Sequence, residues 1–318
     1  MSDATYQPKT YRKDGGDTMV IANGGKLIVE PGGFFLGGNP TGAADYFVDG
    51  NVSATGDGTM ASPYLTLAEA ITASNTSIGL TANRWWARRN RIFVMGDQEI
   101  DEDLTILPEK CDVIGLGYDV EAFPRVLGNH VIAAAWPGCR FINMGFMSTG
   151  AGPVFTLPAY CHGFSIYGGA MWPRNAGSTI GLSITDCAHV TIKGLKMGLA
   201  VGAPSTGIFA TGISILGTLG SHDTTIEDCF IQATAGILTA STCGCYNSIV
   251  KDNTIYATAK VVNDPTGLLF LSGNNFISAT DGNTITDVIT VNADLAVNNY
   301  ITHSGTDLVE SFPLLKTS

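Results

Sequence analysis

Two aspartates carry the first chemical reading of the sequence. Asp228 in TIEDCFIQA and Asp252 in IVKDNTIYA occupy matching places in two similar segments, with Glu227 beside the first. On neighbouring strands these carboxylates would stand about 5 Å apart, the spacing of the two carboxyl groups in retaining glycosidases. The same places are turn positions, where Asp bonds to nearby backbone, and Lys251 offsets the repulsion. Asp228 and Asp252 are therefore weak catalytic candidates set against a structural role. His162, His189 and His222 fall in different segments at turn positions that look unrelated, so no Ser/His/Asp set can be assembled by spacing. Cys243 and Cys245 form a Cys-Gly-Cys clip, but no second pair or nearby histidine completes a zinc site. No metal and no cofactor is expected.

Basic residues offer a different chemistry, that of docking. NRWWARRNR at 83–91 is the one dense basic cluster, and Arg84, Trp85, Trp86, Arg88 and Arg89 would form a patch for an acidic neighbour. The competing reading is an amphipathic connector whose Trp rings pack on the next strand. The polar arm carries the positive charges Lys9, Arg12 and Lys13.

Composition limits what can hold these residues in place. The chain has 318 residues, 45% hydrophobic and only 14% charged, with 39 Gly and 13 Pro. Charged residues usually make up about 25%. Few charges with much Gly, Thr, Asn, Ile and Val point to β-structure with tight turns and exclude a helical bundle. A net charge of −11 argues against general nucleic-acid binding, which rests on neutralising phosphates. No apolar run is long enough for a membrane-spanning helix. The polar stretch MSDATYQPKTYRKDGGD lacks the apolar core of a secretory signal. Seven scattered cysteines then read as reduced, buried thiols made in a bacterial cytoplasm.

From residue 91 onward one pattern repeats. FINMGFMS, FSIYGGAM, VTIKGLKM, TIEDCFIQA, IVKDNTIYA, FLSGNNFISA and AVNNYITHS each place a small or amide residue between two short alternating strands. The pivots are Gly145, Gly168, Gly194, Cys229, Asn253, Asn274 and Asn298. Most lie 21 to 26 residues apart; the 35-residue gap after Gly194 reads as a coil with an inserted loop. This predicts an all-β fold: a single-stranded right-handed parallel β-helix of three sheets and about eight or nine coils. Asn253, Asn274 and Asn298 would form a structural ladder of stacked amides. Three parts are expected. Residues 1–45 are a polar arm and a Gly-Gly-punctuated β segment, with short strands at Val20–Ile21, Leu27–Val29 and Phe34–Leu36. Residues 46–90 hold a strand, a loop and a capping helix begun by the Thr66–Glu69 capping box. Residues 91–318 are the β-helix with a C-terminal cap in SFPLLKTS.

YFVDGNVSATGDGTMASPYLTLAEAI resembles the leading segment of pectin-lyase-like β-helix proteins, through Val48–Asp49, Gly56 to Gly58, Ser62–Pro63, Thr66, Ala70 and Ile71. TYRKDGGDTMVIANGGKLIVEPGG resembles the N-terminal segment of tailed-phage head proteins. Together they cover about 60 residues, and the phage resemblance implies a homotrimer. The motifs of the lyases and hydrolases of this fold are not matched: Arg125, Arg140 and Arg174 stand in no lyase motif, and DNT at 252–254 and CHG at 161–163 are only fragments of hydrolase ones.

The expected function is thus non-enzymatic. The chain reads as a trimeric decoration (cement) protein on a phage virion, binding the major capsid protein through Lys9, Arg12, Lys13, Phe34 and Phe35 in its N-terminal segment. The alternative is a tailspike that binds or cleaves surface polysaccharide; a bacterial surface adhesin is a third. Solvent-facing Thr, Ser, Tyr and Trp172 are the residue types that would bind glycans weakly.

Overall fold

A computed structural model describes residues 10–12, 19–21, 43–78, 89–117, 122–133, 138–150, 152–173, 180–198, 208–218, 221–265, 268–278, 289–290, 296–303 and 306–312. The chain divides into two compact units, Met1–Asn39 and Pro40–Ser318. In the first, Thr10–Arg12 pairs antiparallel with Met19–Ile21. The strands expected at Leu27–Val29 and Phe34–Leu36 lie outside the described residues.

The second unit is a parallel β-helix with three faces. The first face stacks Asp45–Val48, Asn90–Val94, Cys111–Gly115, Arg140–Ile142, Ser165–Tyr167, Thr191–Lys193, Thr225–Glu227, Ser248–Lys251, Leu269–Ser272 and Ala296–Val297. The second runs from Glu99–Asp101 to Asn299–His303, and the third from His130–Val131 to Ile289–Thr290. The ten-residue strand Phe230–Thr239 turns the corner and belongs to both. Among the described residues the third face has seven strands, so about seven turns carry all three faces, fewer than the eight or nine expected. The 35-residue interval holds a coil, as expected. Its strand Phe209–Leu216 pairs with both coil neighbours and is a regular rung of the third face.

Alternation explains the first face. Ile92, Val113, Phe141, Ile166, Ile192, Ile226, Val250 and Leu271 are successive register partners. All point inward and are at most 1% exposed. Burying each side chain contributes roughly 1.5–3 kcal/mol. Their outward neighbours form another row: Phe47, Phe93, Ile114, Ile142, Tyr167, Lys193, Glu227, Lys251 and Ser272.

The corner between the first and second faces shows why the pivots recur. Asn143, Gly168, Gly194, Asp228, Asp252, Gly273 and Asn298 all have φ between 52° and 68°. Only Gly, Asn and Asp visit this left-handed region cheaply. The residue after each points into the coil. Those residues are Met144, Gly169, Leu195, Cys229, Asn253, Asn274 and Asn299, and the amide ladder is built from the last three. Asn253 and Asn274 are in it as expected, but Asn298 is exposed and its place is taken by buried Asn299. The asparagine pair allowed either register from sequence; the positive φ puts Asn298 at the turn and turns Asn299 inward.

Both ends of the solenoid carry covering elements, as edge strands require. Helix Leu67–Ile78 buries Leu67, Ala70, Ile71, Ser74 and Ile78. The capping box is present: Glu69 Oε2 accepts from the Thr66 amide at 3.1 Å, and the Glu69 amide donates to Thr66 Oγ1 at 3.3 Å. At the other end, Thr306–Phe312 folds back antiparallel on Asn299–His303. Leu314 and Leu315 lie outside the described residues.

The interior beside Arg140–Ile142 holds a cluster of aromatic rings. Phe155 stands 4.7 Å from Phe146, 5.8 Å from Phe164 and 6.0 Å from Phe141, ring centre to ring centre, and 4.7 Å from the His130 imidazole. Trp172 does not face solvent as its place in the sequence suggested. It is 2% exposed in a satellite cluster with Phe123, Leu127, Met147 and Ala170, so its ring is withdrawn from any glycan.

Candidate functional site

The acidic candidates do come together. One carboxylate oxygen each from Glu227, Asp228 and Asp252 lies within 4.8 Å of the others on an outer face. The geometry follows from the register: Lys193, Glu227 and Lys251 are cross-strand partners on three successive coils. Glu227 Oε1 receives Lys251 Nζ at 2.9 Å and Lys193 Nζ at 3.1 Å, and Lys193 also reaches Asp228 at 3.5 Å. The Lys251 and Lys193 ammonium groups hold the Glu227 carboxyl below its ordinary range. Asp228 and Asp252 stand at the left-handed corner, φ 54° and 56°, with their side chains exposed. This is a charge ladder of alternating sign, which cross-strand pairing favours. A glycosidase general acid needs a carboxyl kept protonated near neutrality. Glu227 is pushed the other way.

The histidines overturn the reading from spacing, because all three share one corner. Gly138, Gly163, His189, Asp223 and Asn247 form a second left-handed column, and each successive coil joins it by backbone bonds such as His189 N to His222 O. His162 and His222 sit one residue before that column and His189 within it. That offset hid the stacking. His222 Nδ1 lies 2.8 Å from Asp223 Oδ2, and His189 Nδ1 lies 3.6 Å from the same oxygen. The His189 and His222 rings are 5.8 Å apart, edge to face. His162 Nδ1 accepts the Ala188 amide at 2.8 Å. Burial first, then its two fellow imidazoles, lower its pKa, whereas the bond from His222 lowers that of Asp223.

The expected docking residues are distributed differently. Arg89 is committed within the solenoid: Nε meets Asp112 Oδ1 at 2.7 Å and Nη1 donates to the Gly138 carbonyl at 3.1 Å. Arg84, Trp85, Trp86 and Arg88 lie outside the described residues, as do Lys9, Lys13, Phe34 and Phe35. Arg12 ends the strand Thr10–Arg12 opposite Met19.

All seven cysteines are free and buried. The Cys-Gly-Cys thiols touch, Sγ to Sγ at 3.1 Å. Cys229 heads the amide ladder, its backbone N–H donating to Asn253 Oδ1 at 2.9 Å. Among the described residues, no helix is long and apolar enough to cross a membrane. No protein family, curated protein or solved structure matches the chain.

Proposed function

We propose that the chain is a structural protein of a tailed-phage virion. It acts as a homotrimeric decoration protein that binds the major capsid protein through its N-terminal segment and projects the β-helix outward. The observation that carries this reading is the division at Asn39. The described pairing of the smaller unit is one two-stranded sheet of three-residue strands, and an isolated hairpin is marginal in water. Such a unit gains order by adding its strands and apolar side chains to another surface. Its Lys9, Arg12 and Lys13 suit an acidic one. The half-buried outward row Phe47, Phe93, Ile114, Ile142 and Tyr167 is the surface this proposal assigns to contacts between copies. Attachment in many copies would stabilise the shell by mass action.

Removing residues 2–39 is expected to abolish co-sedimentation with capsids while the remaining chain keeps its β-sheet circular dichroism. Retained binding would overturn the proposal. Quantitative mass spectrometry of purified virions gives an independent reading: copies comparable to the major capsid protein support decoration, and a handful place the protein on the tail.

The clustered oxygens of Glu227, Asp228 and Asp252 favour a second reading, a tailspike that cleaves surface polysaccharide. On that reading Asp228→Asn or Asp252→Asn lowers depolymerase activity by roughly 10²- to 10⁴-fold. On the charge-ladder reading the same changes leave function intact and shift stability by less than about 1 kcal/mol.

A further inference from the structure

We propose that Cys243 and Cys245 form a peroxide-reactive dithiol, which closes reversibly to a disulfide within the turn at 240–247. The inference is independent of the virion reading. It rests on geometry: the sulfurs are two residues apart in sequence and 3.1 Å apart in space. A disulfide needs about 2.05 Å, so closure asks for a shift of about 1 Å.

The surroundings separate Cys243 from Cys111, Cys139, Cys187 and Cys229. Cys111 and Cys229 have pKa values pushed up to about 12 by burial, and that of Cys139 is also raised by burial. Cys187 is tied to the Pro158 and Thr185 carbonyls at 3.1 and 3.2 Å, and contact with Cys161 raises its pKa. Thiols held protonated are poor nucleophiles. Cys243 differs because a hydrogen bond from the Cys245 thiol stabilises its thiolate, lowering its pKa to about 7. It is itself 2% exposed, yet it lies in a turn whose Ser241, Thr242, Tyr246 and Asn247 are exposed. A turn of this kind opens locally at lower cost than the stacked strands.

The step balances with hydrogen peroxide as oxidant. The Cys243 thiolate attacks one peroxide oxygen, the O–O bond breaks, and hydroxide leaves, giving a sulfenic acid. The Cys245 sulfur then attacks the Cys243 sulfur. The S–O bond breaks as the S–S bond forms, and the sulfenic oxygen departs as water with the Cys245 proton. The two thiols lose two electrons and the peroxide gains them. A thiol reductant reverses the result by exchange.

The test uses the full chain, reduced, desalted and exposed to hydrogen peroxide, then alkylated in denaturant. No Lys or Arg lies between Lys196 and Lys251, so chymotryptic cleavage after Phe230 is used to separate Cys229 from the pair. The expected result is loss of two hydrogens confined to the Cys243–Cys245 peptide, restored by dithiothreitol and at least about tenfold faster than oxidation of any other cysteine. In Cys245→Ser the sulfenic acid on Cys243 persists and is trapped by dimedone. Wild-type mapping decides the matter even if that variant folds poorly. Both thiols alkylated after peroxide, or another pair closing first, would overturn the proposal.

Discussion

Replacing Asn274 with alanine is expected to destabilise the solenoid by roughly 3–5 kcal/mol. The Asn274 side chain is fully buried and makes bonds in both directions along the coil stack. Its Oδ1 accepts from the Asn253 backbone amide at 3.0 Å and from Asn253 Nδ2 at 2.9 Å. Its Nδ2 donates to the Val250 carbonyl at 2.8 Å and to Asn299 Oδ1 at 2.8 Å. Alanine leaves the Asn253 N–H without a partner in a dry interior, at about 1–3 kcal/mol, and the three other lost bonds add to this, although the strand ladder keeps the Ser272 amide on the Val250 carbonyl. Asn299 Oδ1 keeps the backbone N–H of residue 274 at 3.1 Å, so the break is confined to the upper rungs. Urea denaturation measures the loss. Because solenoid coils can open separately, hydrogen exchange at the Asn253 amide shows where it falls. Asn298→Ala is the control: that side chain is exposed, so only the strain of alanine at φ 52° remains, about 1 kcal/mol. Equal losses at 274 and 298 would mean that the inward residue of this corner is misassigned.

The same corner shows how far the sequence can be read. Its seven left-handed residues are all Gly, Asn or Asp, because the backbone there excludes other side chains at low cost. That restriction produced the visible repeat and hence the fold class. It did not produce the register, since NN at 298–299 and GNN at 273–275 let either neighbour fill the turn. Coil number was overestimated because alternation shows that strands exist without showing that every turn completes three faces. The capping box was legible since Thr66 and Glu69 are three residues apart. A second cap was not: Glu102 accepts the Leu67 and Ala68 amides at 2.8 and 3.0 Å from 35 and 34 residues away.

The candidate sites were less legible for the same reason. Asp228 and Asp252 could be aligned because both hold the turn position of consecutive coils. The histidines could not, being one residue out of step with one another. Lys193, two coils from Lys251, falls opposite Asp228 when Gly194 is matched with Cys229, and becomes a partner of Glu227 only in the observed register, one residue away. The thiol contact was visible as a motif, but its 3.1 Å approach depends on the local turn.

Acid should weaken the fold by up to roughly 3 kcal/mol between about pH 6.5 and pH 4 through His130 alone. Its imidazole is fully buried against Phe146 and Phe155. Nδ1 accepts the Leu104 amide at 3.1 Å, which requires the neutral ring. Burial lowers its pKa from 6.5 to about 4, and the Asp103 charge offsets this only in part. Below pH 6.5 the unfolded chain therefore binds a proton that the native chain refuses until about pH 4, and stability falls as pH falls. Three carboxyl groups act in other ways. Glu102 is raised chiefly by burial, so it gains stability as pH falls and works against the His130 slope. Glu69 and Glu227 are lowered, and their contributions fade only as pH falls through about 4.5. His130→Asn separates these effects. Its Oδ1 can replace Nδ1 as the acceptor for Leu104 without taking up a proton. The variant is expected to be less stable at pH 7, from imperfect packing against the Phe rings. The gap between variant and wild type should close steadily toward pH 4 in urea denaturation. Parallel pH profiles for the two proteins would show that His130 is not the group that titrates.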